Sequence, residues 1–296
     1  MRYFIAVAEE LHFARAAERL HIEQSPLSRA IKDLEYDLDV QLFERTTRRT
    51  RLTWAGQVFV DEAKRVLSTL DQAKARAKAA ASGYRGILRI ALSDGIAQPR
   101  LTSLLARCRE EDPEVEIRLF ETPLAQQVKG LLSDQYDVGF SHATESVEGV
   151  IAQPAWSDPL MVAVPMRHPL LAHKRIPIEE VVRYPLVLCH PENCEGCHRQ
   201  IERILRTVET EPIVAEHVSN FGLMMMLVAA GYGLGFATEA HIAFCPHPEV
   251  VFRPLTGRTH MLTTYVLRPD IDPSRQLSQF IDRAIPSRNT NSHQPS

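Results

Sequence analysis

Three cysteines and two histidines fall within ten residues, in the segment CHPENCEGCH at positions 189–198. Its last five residues, CEGCH, match the pattern of covalent c-type haem attachment. Haem attachment takes place outside the cytoplasm, and the sequence shows no export signal, so we expect no haem. Thiolates and imidazoles also suit zinc, but this crowded spacing is not that of a standard structural zinc site. We therefore expect neither a metal nor another cofactor.

A thiol switch is the third chemistry open to this segment. Cys197 stands at a predicted helix start, where the positive end of the helix dipole would lower the pKa of a thiol. A resolving cysteine is missing from residues 198–210, and Cys194 could replace it only after local rearrangement. We interpret Cys197 as a residue that lines a binding pocket, and we keep oxidation sensing at Cys197 as an alternative.

The bulk composition is that of an ordinary globular protein. The chain has 296 residues, of which 45% are hydrophobic and 24% charged, with a net charge of −3. This length predicts two or three domains. No apolar stretch is long enough to span a bilayer, and acidic residues follow the first apolar run, so we expect a cytoplasmic protein with no membrane partner. The odd number of cysteines argues against a secreted disulfide framework. Any nucleic-acid surface must be local, because the overall charge is not basic.

The first 53 residues show the hydrophobic spacing of short helices followed by a hairpin. Apolar residues at helical intervals predict helices at about 4–11, 13–20 and 25–38, and the last two form a helix-turn-helix geometry. Pro26 fits only the first turn of its helix, and Ser25 is placed to cap that helix. The next segment, VQLFERTTRRTRLT, predicts a hairpin with a basic tip.

One long helix is predicted from residue 54 to about residue 83. Its apolar residues are spaced alternately four and three apart, which is a heptad seam: Phe59, Ala63, Val66, Leu70, Ala73, Ala77 and Ala80. Such a seam needs a partner helix, so the segment predicts a linker that also dimerises the chain. A helix that packs only on its own domain is the alternative.

From residue 87 onward, predicted strands alternate with helices. Strands are predicted at 87–92, 115–120, 136–141, 159–166, 185–190, 211–218 and 260–268, and the segment 222–238 reads as a helix, a glycine turn and a strand. The alternation indicates a parallel, doubly wound sheet, and its length indicates two subdomains. Ligands of such folds bind in the crevice at the carboxyl ends of strands. Residues 287–296 are expected to be a disordered tail.

Residues 13–56 form a dense pattern, FxxAAxxLxIxQSPLSxxIxxLExxLxVxLFxRxxRxxxLTxxG. This pattern resembles the amino-terminal domain of LysR-type transcriptional regulators, although most members carry several more residues before RYF. The rest of the chain is similar to the family in layout and in motifs such as DPEVEI, DVGF and LVAAGYGLG. The resemblance implies an α+β multidomain protein. We expect a winged helix-turn-helix DNA-binding domain at 1–53, a linker and dimerisation helix at 54–83, and an effector-binding domain of two α/β subdomains, like periplasmic binding proteins, at 84–286.

The resemblance makes the third helix a recognition helix, whose first residues meet base edges in the major groove. Glutamine pairs with adenine and arginine with guanine, and serine hydroxyls reach bases or phosphates. The residues expected there are Gln24, Ser25, Pro26, Ser28, Arg29 and Lys32. A basic set expected to contact the DNA backbone or minor groove is Arg45, Arg48, Arg49 and Arg51. We expect Arg29→Ala to weaken specific binding most, and Arg48→Ala to weaken all DNA binding.

Polar residues at strand ends and helix starts are the candidate effector site. Ser93 and neighbouring N–H groups could hold a carboxylate. The whole set is Ser93, Asp94, Gly95, Thr122, Ser141, His142, Asn193, Gly196, Cys197, Ser219 and Asn220. Each has an alternative role as a cap or loop residue. As a set they suit a small organic acid or aromatic metabolite. Cys197 also stands about where the peroxide-sensing branch of the LysR family keeps its reactive cysteine.

The sequence thus predicts a sequence-specific, DNA-binding transcriptional regulator controlled by a small molecule. By resemblance it binds a dyad-symmetric site on double-stranded DNA as a homodimer or homotetramer and acts on RNA polymerase. The competing class is a metabolite-binding protein whose basic arm contacts something other than DNA. No nucleophile, base and orienting group form a recognisable motif, so we do not expect an enzyme.

Overall fold

The structure is a computed structural model that describes residues 1–45, 49–96, 99–143, 147–244, 246–257 and 259–285. The chain divides into two compact units, Met1–Lys78 and Ala79–Ser296. Each unit has a hydrophobic core of its own. The predicted tail at 287–296 lies outside the described residues.

The amino-terminal unit contains the three short helices and the hairpin that the sequence predicts. The helices are α1 (Arg2–Glu10), α2 (Phe13–Arg19) and α3 (Gln24–Leu38). Strands β1 (Phe43–Arg45) and β2 (Thr50–Leu52) pair antiparallel to form the hairpin. The long helix α4 (Trp54–Ala81) begins where it was predicted.

Aromatic side chains hold the helices, the hairpin and the first turns of α4 together. Phe4 of α1 packs against Phe43 of β1 and Phe59 of α4, with ring centroids 5.4 Å and 5.1 Å apart. Leu27 and Ile31 of α3 are buried in the same core. Because these two residues are four apart, they occupy one side of α3 and leave its other side to solvent.

A close contact fixes the junction between the hairpin and α4. The Thr53 hydroxyl donates to the Gln41 carbonyl at 2.7 Å and accepts the Gly56 N–H at 2.9 Å, so Thr53 caps α4. Gly56 lies directly against the Leu42 carbonyl, and a Cβ at this position would come within 2.1 Å of that oxygen. Space therefore requires glycine at residue 56, where the LTxxG pattern ends.

The carboxy-terminal unit alternates strands and helices. Its strands are β3 (Gly86–Leu92), β4 (Val115–Glu121), β5 (Val138–Ser141), β6 (Val150–Pro165), β7 (Leu186–Cys189), β8 (Val214–Val218), β9 (Gly235–Thr238), β10 (Val250–Pro254) and β11 (Met261–Pro269). Its helices are α5 (Pro99–Glu111), α6 (Leu124–Leu132), α7 (Ile178–Val181), α8 (Glu195–Leu205), α9 (Phe221–Ala229), α10 (Glu239–Phe244) and α11 (Arg275–Ala284), with a short 3-10 helix at Pro169–Ala172. The sequence did not predict β10, α7, α10 or the 3-10 helix.

The sheet is mixed, and the prediction of a parallel sheet throughout is wrong. The strand order is β10-β6-β11-β5-β3-β4, with β9 also on β6, and β7 and β8 form a separate parallel pair. Strand β3 is parallel to β4 and β5, but β11 is antiparallel to β5 and β6. Strands β5 and β6 run in the same direction, and β11, which lies between them, runs antiparallel to both, so the mixed pairing comes from a strand about a hundred residues later in the chain.

The long strand β6 runs through two halves of the unit. Its first part pairs with β11, while residues 160–165 pair with β9 and β10. One core surrounds Phe140 and Phe280, between the β3–β5 strands and helices α5 and α11. A second core surrounds Leu186 and Ile201, between β7 and α8. The two cores correspond to the two predicted subdomains.

The ends of β3 and β5 determine where the candidate effector residues lie. The two strands are parallel neighbours, with Leu92 paired to Phe140. The turn after β3 therefore lies beside the residues that follow β5, at the sheet edge where α/β folds bind ligands.

Candidate DNA-contacting surface and effector cleft

The start of α3 presents the predicted base-contacting residues to solvent. Ser28 is half-buried, and the exposed members of the set are Gln24, Ser25, Pro26, Arg29 and Lys32. Helix α3 begins at Gln24, and its N-cap is Glu23, whose side chain makes no capping hydrogen bond. The predicted cap at Ser25 is wrong, because Ser25 already lies inside the first turn. Pro26 lies in the same turn, as predicted, where its missing N–H is not needed.

Glu35 holds the hairpin against α3. Its carboxylate accepts the N–H groups of Leu42 and Phe43 at 2.9 Å and 3.0 Å, and it pairs with the Arg45 guanidinium at 2.7 Å. Arg45 also lies over the Phe13 ring, 4.8 Å from its centroid. The Arg45 side chain is only 28% exposed. This geometry gives Arg45 a role in positioning the hairpin, and Arg45 also lines the groove formed by α3 and the hairpin, so its role in contacting DNA stays a prediction.

Two other arginines of the basic set lie at β2, one in the strand and one directly before it. Arg49 and Arg51 are exposed, while Arg48 lies outside the described residues. Together with Gln24 and Ser28 of α3, Arg49 and Arg51 line one groove of about 600 Å³. The structure thus brings groups that can pair with base edges next to guanidinium groups that can bind phosphate.

The predicted seam of α4 divides into two parts. Phe59 and Ala63 pack into the chain's own core, so their spacing needs no partner helix and this part of the dimerisation prediction is corrected. Val66 and Leu70 are 48% and 47% exposed. The same face continues with exposed alanines at the positions Ala73, Ala77 and Ala80. The exposed part of the seam is therefore the stretch from Val66 onward.

A buried carboxylate, that of Asp94, lies at the centre of the predicted effector site. Its Oδ2 accepts the Ser141 hydroxyl at 2.8 Å and the His142 N–H at 2.9 Å. Its Oδ1 accepts the N–H groups of Gly196 and Cys197 at 2.9 Å and 3.3 Å, in the first turn of α8. The sequence predicted that such donors would hold the carboxylate of a ligand. The chain places its own carboxylate there.

Asp94 reaches this position through a left-handed turn. Its φ is 57°, and that of Gly95 is 65°. Outside glycine this conformation is uncommon and is adopted mainly by asparagine and aspartate. The Ser93 hydroxyl lies 3.1 Å from Asp94 Oδ2. The turn directs the carboxylate from the end of β3 to the start of α8, so that this side chain links the two subdomains.

Gln200 extends the hydrogen-bonded region along α8, and the sequence did not predict its role. Its Nε2 donates to the Thr263 carbonyl at 2.7 Å, and its Oε1 accepts the Thr263 N–H at 2.9 Å. The His142 Nδ1 lies 3.0 Å from the same carbonyl. Burial lowers the pKa of His142, because desolvation of the imidazolium outweighs the attraction of Asp94. His142 is therefore neutral at pH 7.

A cavity lies beside Asp94, with about 40 Å³ open to the centre of a water molecule. The predicted effector residues that line it are Asp94, Gly95, Cys197, Ser219 and Asn220. Most of the remaining lining is apolar: Leu160, Ile201, Val218, Met224, Phe236 and Leu262. Four other predicted effector residues contact the Asp94 carboxylate and do not line the cavity: Ser93, Ser141, His142 and Gly196.

Other members of the predicted set have local structural roles. Asn220 caps α9, because its Oδ1 accepts an N–H of the first turn at 2.8 Å, as predicted. Asn193 donates to the Ser219 hydroxyl at 2.9 Å. Thr122 donates to the side chain of Gln126 at 3.2 Å. Neither Thr122 nor Asn193 lines the cavity.

Three thiols lie around the cavity. The Sγ atoms of Cys189 and Cys197 are 2.7 Å apart. The sequence predicted a lowered pKa for Cys197, but the contact with Cys189 and burial raise its pKa well above the ordinary value. Burial also raises the pKa of Cys194 to about 12. Within the described residues, no three His, Cys, Asp or Glu side chains could together hold a metal ion.

His241 is a cavity residue that the sequence reasoning missed. Its ring stacks on Phe221, with centroids 4.9 Å apart, and its Nδ1 lies 2.9 Å from the Thr238 hydroxyl oxygen. Burial lowers the pKa of His241 to about 4, so the ring is neutral at pH 7. A signal was present in the sequence, because His241 lies three residues after the end of strand β9, in the first turn of α10.

Two family models match this architecture. Residues 1–57 match the bacterial regulatory helix-turn-helix protein, lysR family, and residues 81–286 match the LysR substrate binding domain. The chain belongs to the LysR family. It is 34% identical over 235 residues to the uncharacterized HTH-type transcriptional regulator YnfL of Escherichia coli (strain K12), in an alignment that covers 79% of each chain. It is 31% identical over 240 residues to the HTH-type transcriptional regulator AlsR of Bacillus subtilis (strain 168), in an alignment that covers 81% of this chain and 80% of AlsR.

Among solved structures, this LysR-family chain is similar to full-length CbnR complexed with its target DNA. The TM-score is 0.72 and the identity 27%, over 96% of both chains. The chain is a DNA-binding LysR-type transcriptional regulator with an effector-binding domain, and the predicted fold class and family are confirmed. Across the described ranges, no helix combines the length and apolarity that a membrane crossing requires.

Proposed function

We propose that this LysR-type regulator reads a dyad-symmetric DNA site as a homodimer or homotetramer. The start of α3 enters the major groove, and the hairpin contacts the adjacent backbone. The groove that Gln24 and Ser28 share with Arg49 and Arg51 is the observation that supports this most directly. Base-reading groups next to phosphate-binding groups are what sequence-specific recognition requires.

Regulation, in this proposal, starts at the cavity beside Asp94. A small effector bound there alters the arrangement of the two subdomains and so the spacing of the copies on DNA, which changes DNA bending and access for RNA polymerase. The apolar lining supports an effector with an apolar body. The effector must favour one arrangement by about 1–3 kcal/mol to give a typical allosteric response.

Arg29 and Arg51 have different roles in this proposal. Arg29→Ala removes a guanidinium that can pair with a guanine edge, so affinity for the target falls about 10-fold or more, while affinity for unrelated DNA falls little. Arg51→Ala removes a phosphate contact, so both affinities fall together, and the slope of log K against log salt decreases by about one.

Fluorescence anisotropy across a salt series measures both effects, with a target selected from a random pool and a scrambled duplex of equal length. Arg183→Ala is the charge-matched control, because Arg183 is an exposed arginine of the carboxy-terminal unit that pairs with Glu180 at 2.9 Å. Equal losses of specific and unrelated binding in the Arg29 and Arg51 variants would contradict the division of roles.

Thiol oxidation is a second candidate for the sensing mode, and the contact between Cys189 and Cys197 favours it. Cys189 is half-buried at the end of β7, while Cys197 is buried in the first turn of α8. Their sulfur atoms, 2.7 Å apart, need only a small approach to reach the 2.03–2.05 Å of a disulfide. The raised pKa of Cys197 makes it a slow nucleophile, so oxidation begins at the more exposed Cys189.

Oxidised glutathione can serve as the oxidant for this step. The Cys189 thiolate attacks one glutathione sulfur and releases one glutathione thiolate. Cys197 then loses its proton to solvent, attacks Cys189 Sγ and releases the second glutathione. Two electrons pass from the two protein thiols to the oxidant, and one intramolecular disulfide remains.

Oxidised full-length protein is expected to lose two hydrogens by mass spectrometry and to change its DNA affinity at least about 5-fold, the lower end of allosteric coupling. Cys197→Ser should bind DNA normally and show no change with oxidant. Cys108→Ser is the matched control, because Cys108 is buried in the core of the other subdomain and should leave the response intact. A wild-type protein with equal DNA affinity before and after disulfide formation rejects this sensing mode.

A further inference from the structure

We propose that the Asp94 carboxylate permanently occupies the anion site of the cleft, so that the effector is a small, uncharged and largely apolar molecule and not a carboxylate. The inference rests on the proposed function, in which the cleft binds the effector. It names the chemical class of that ligand.

The first reason is that the groups that could bind a ligand carboxylate already bind Asp94. The hydroxyl of Ser141 and the N–H of His142 approach Oδ2 from the end of β5. The N–H groups of Gly196 and Cys197 approach Oδ1 from the start of α8. Hydroxyls and helix-start N–H groups are the usual protein ligands of a carboxylate. Asp94 is 8% exposed, so its carboxylate fills this site from within the chain.

The second reason is the packing around the carboxylate. A Cβ at Gly196 would lie 2.7 Å from Asp94 Oδ2 and 2.5 Å from the Ala143 nitrogen. The start of α8 therefore lies in direct contact with the carboxylate and with the strand end. No room remains at this point for a second anion beside the first.

The third reason is the charge of the cavity. Neither lysine nor arginine is among the described residues that line it. Its histidine, His241, is neutral at pH 7, because burial lowers its pKa to about 4. A ligand carboxylate would meet the negative charge of Asp94 with no cation to offset it, in surroundings where water does not screen the repulsion well. An uncharged molecule avoids this cost.

The fourth reason is the apolar lining and the small volume. Leu160, Met224 and Phe236 present apolar surface to the cavity, while Ser219 and Asn220 supply polar groups. The space open to the centre of a water molecule is about 40 Å³. Drug-sized ligands occupy pockets of roughly 300–1,000 Å³. The cavity therefore fits a molecule of few heavy atoms.

Removal of the carboxylate should create an empty anion site, which tests the assignment. Glycine adopts the left-handed backbone of residue 94 without strain, so Asp94→Gly is the variant of choice. The full-length variant is expected to melt at a lower temperature than wild type in sodium chloride. Sodium acetate of equal ionic strength should raise its Tm by roughly 5–10 °C at about 100 times the acetate Kd. Wild-type Tm should be the same in both salts.

Two further variants separate the anion site from other effects. Asp134→Gly is the backbone control, because Asp134 also has a left-handed φ, 56°, and is exposed. It should not respond to acetate. Asp94→Asn keeps the space filled with an amide, so it should be destabilised and should not respond either. If Asp94→Gly does not fold in chloride, its refolding yield in acetate against chloride gives the same test.

Isobutyrate and isobutanol test the ligand class, because they share a small branched apolar body and differ in charge. Isobutanol is expected to raise the Tm of wild type and isobutyrate to leave it unchanged, whereas Asp94→Gly should respond to isobutyrate. The proposal is overturned if isobutyrate stabilises wild type, if neither compound does, or if the folded Asp94→Gly variant does not respond to acetate. DNA binding is measured on the same preparations. If wild type binds DNA but acetate does not stabilise Asp94→Gly, this inference alone is rejected. If wild type binds no DNA, the proposed function is rejected.

Discussion

Replacement of Leu70 by glutamate is expected to convert the protein to a monomer and to lower its affinity for a dyad-symmetric site by about 100-fold or more. Leu70 and Val66 lie four residues apart on α4 and are 47% and 48% exposed. Each leucine that a partner helix buries contributes about 1.5–3 kcal/mol. In a two-fold symmetric dimer every substitution acts twice. The variant loses this burial free energy from both chains and places two carboxylates near the symmetry axis.

In the proposed dimer, the DNA affinity depends on both chains, because the second half-site would be bound intramolecularly. Linked binding modules gain 10²–10⁴ in overall affinity through the effective concentration of the second module. A monomer loses this gain although its own α3 and hairpin are unchanged. Sedimentation velocity measures the oligomeric state, and anisotropy with one-site and two-site duplexes measures the affinity. The loss should appear only with the two-site duplex.

Thr69→Glu is the matched control for this variant. Thr69 is exposed and lies about 100° around the helix axis from Leu70. The substitution therefore adds the same charge to a different face of α4. It should leave both the oligomeric state and the DNA affinity close to those of wild type. A Leu70→Glu protein that remains a dimer, or two variants that dissociate alike, would show that the exposed stripe is not the dimer contact.

A fall in pH from 7 to 4 is expected to destabilise the carboxy-terminal unit by up to about 3 kcal/mol through His241. The folded pKa of His241 is about 4, against an ordinary value of 6.5. Between these values the unfolded chain binds the proton and the folded chain does not. The stabilisation is therefore complete above pH 6.5 and is lost as the pH falls towards 4. Burial also lowers the pKa of His142, so His142 contributes in the same direction.

Chemical denaturation at a series of pH values measures this dependence. His241→Gln keeps a polar side chain at the position but has no proton to gain, so its free energy of unfolding should fall less steeply between pH 6.5 and 4. His21→Gln, a change at an exposed histidine of the amino-terminal unit, is the control and should retain the wild-type slope. Identical slopes for wild type and His241→Gln would contradict the assignment.

The helices of the amino-terminal part of the chain could be predicted because their signals are local. Apolar spacing alone identified α1, α2, α3 and α4 to within a few residues. Strand β6 was predicted only at 159–166, although it begins at Val150. Pro154 and Pro159 interrupt its pattern, and proline within a run argues against a strand. Its pairing with β11 depends on residues about a hundred positions away, which no local pattern contains.

The candidate site could be predicted as a set of positions but not as a set of contacts. Asp94 was expected to help bind a ligand because it follows a strand, and it does lie in the cleft. That its carboxylate would accept N–H groups a hundred residues away depends on how the subdomains close. Likewise the sequence offered Cys194, or a residue in 198–210, as the partner of Cys197, while the contacting sulfur belongs to Cys189 on the preceding strand.

The tight junction at Gly56 has a consequence for how a signal would reach DNA. The Thr53 cap and the contact of Gly56 with the Leu42 carbonyl leave no hinge between the hairpin and the first turn of α4. When the long helix rolls about its own axis, the hairpin must turn with it by the same angle. In the proposed dimer, a few degrees of roll would therefore translate the two hairpins, each with its exposed Arg51, relative to one another along the duplex.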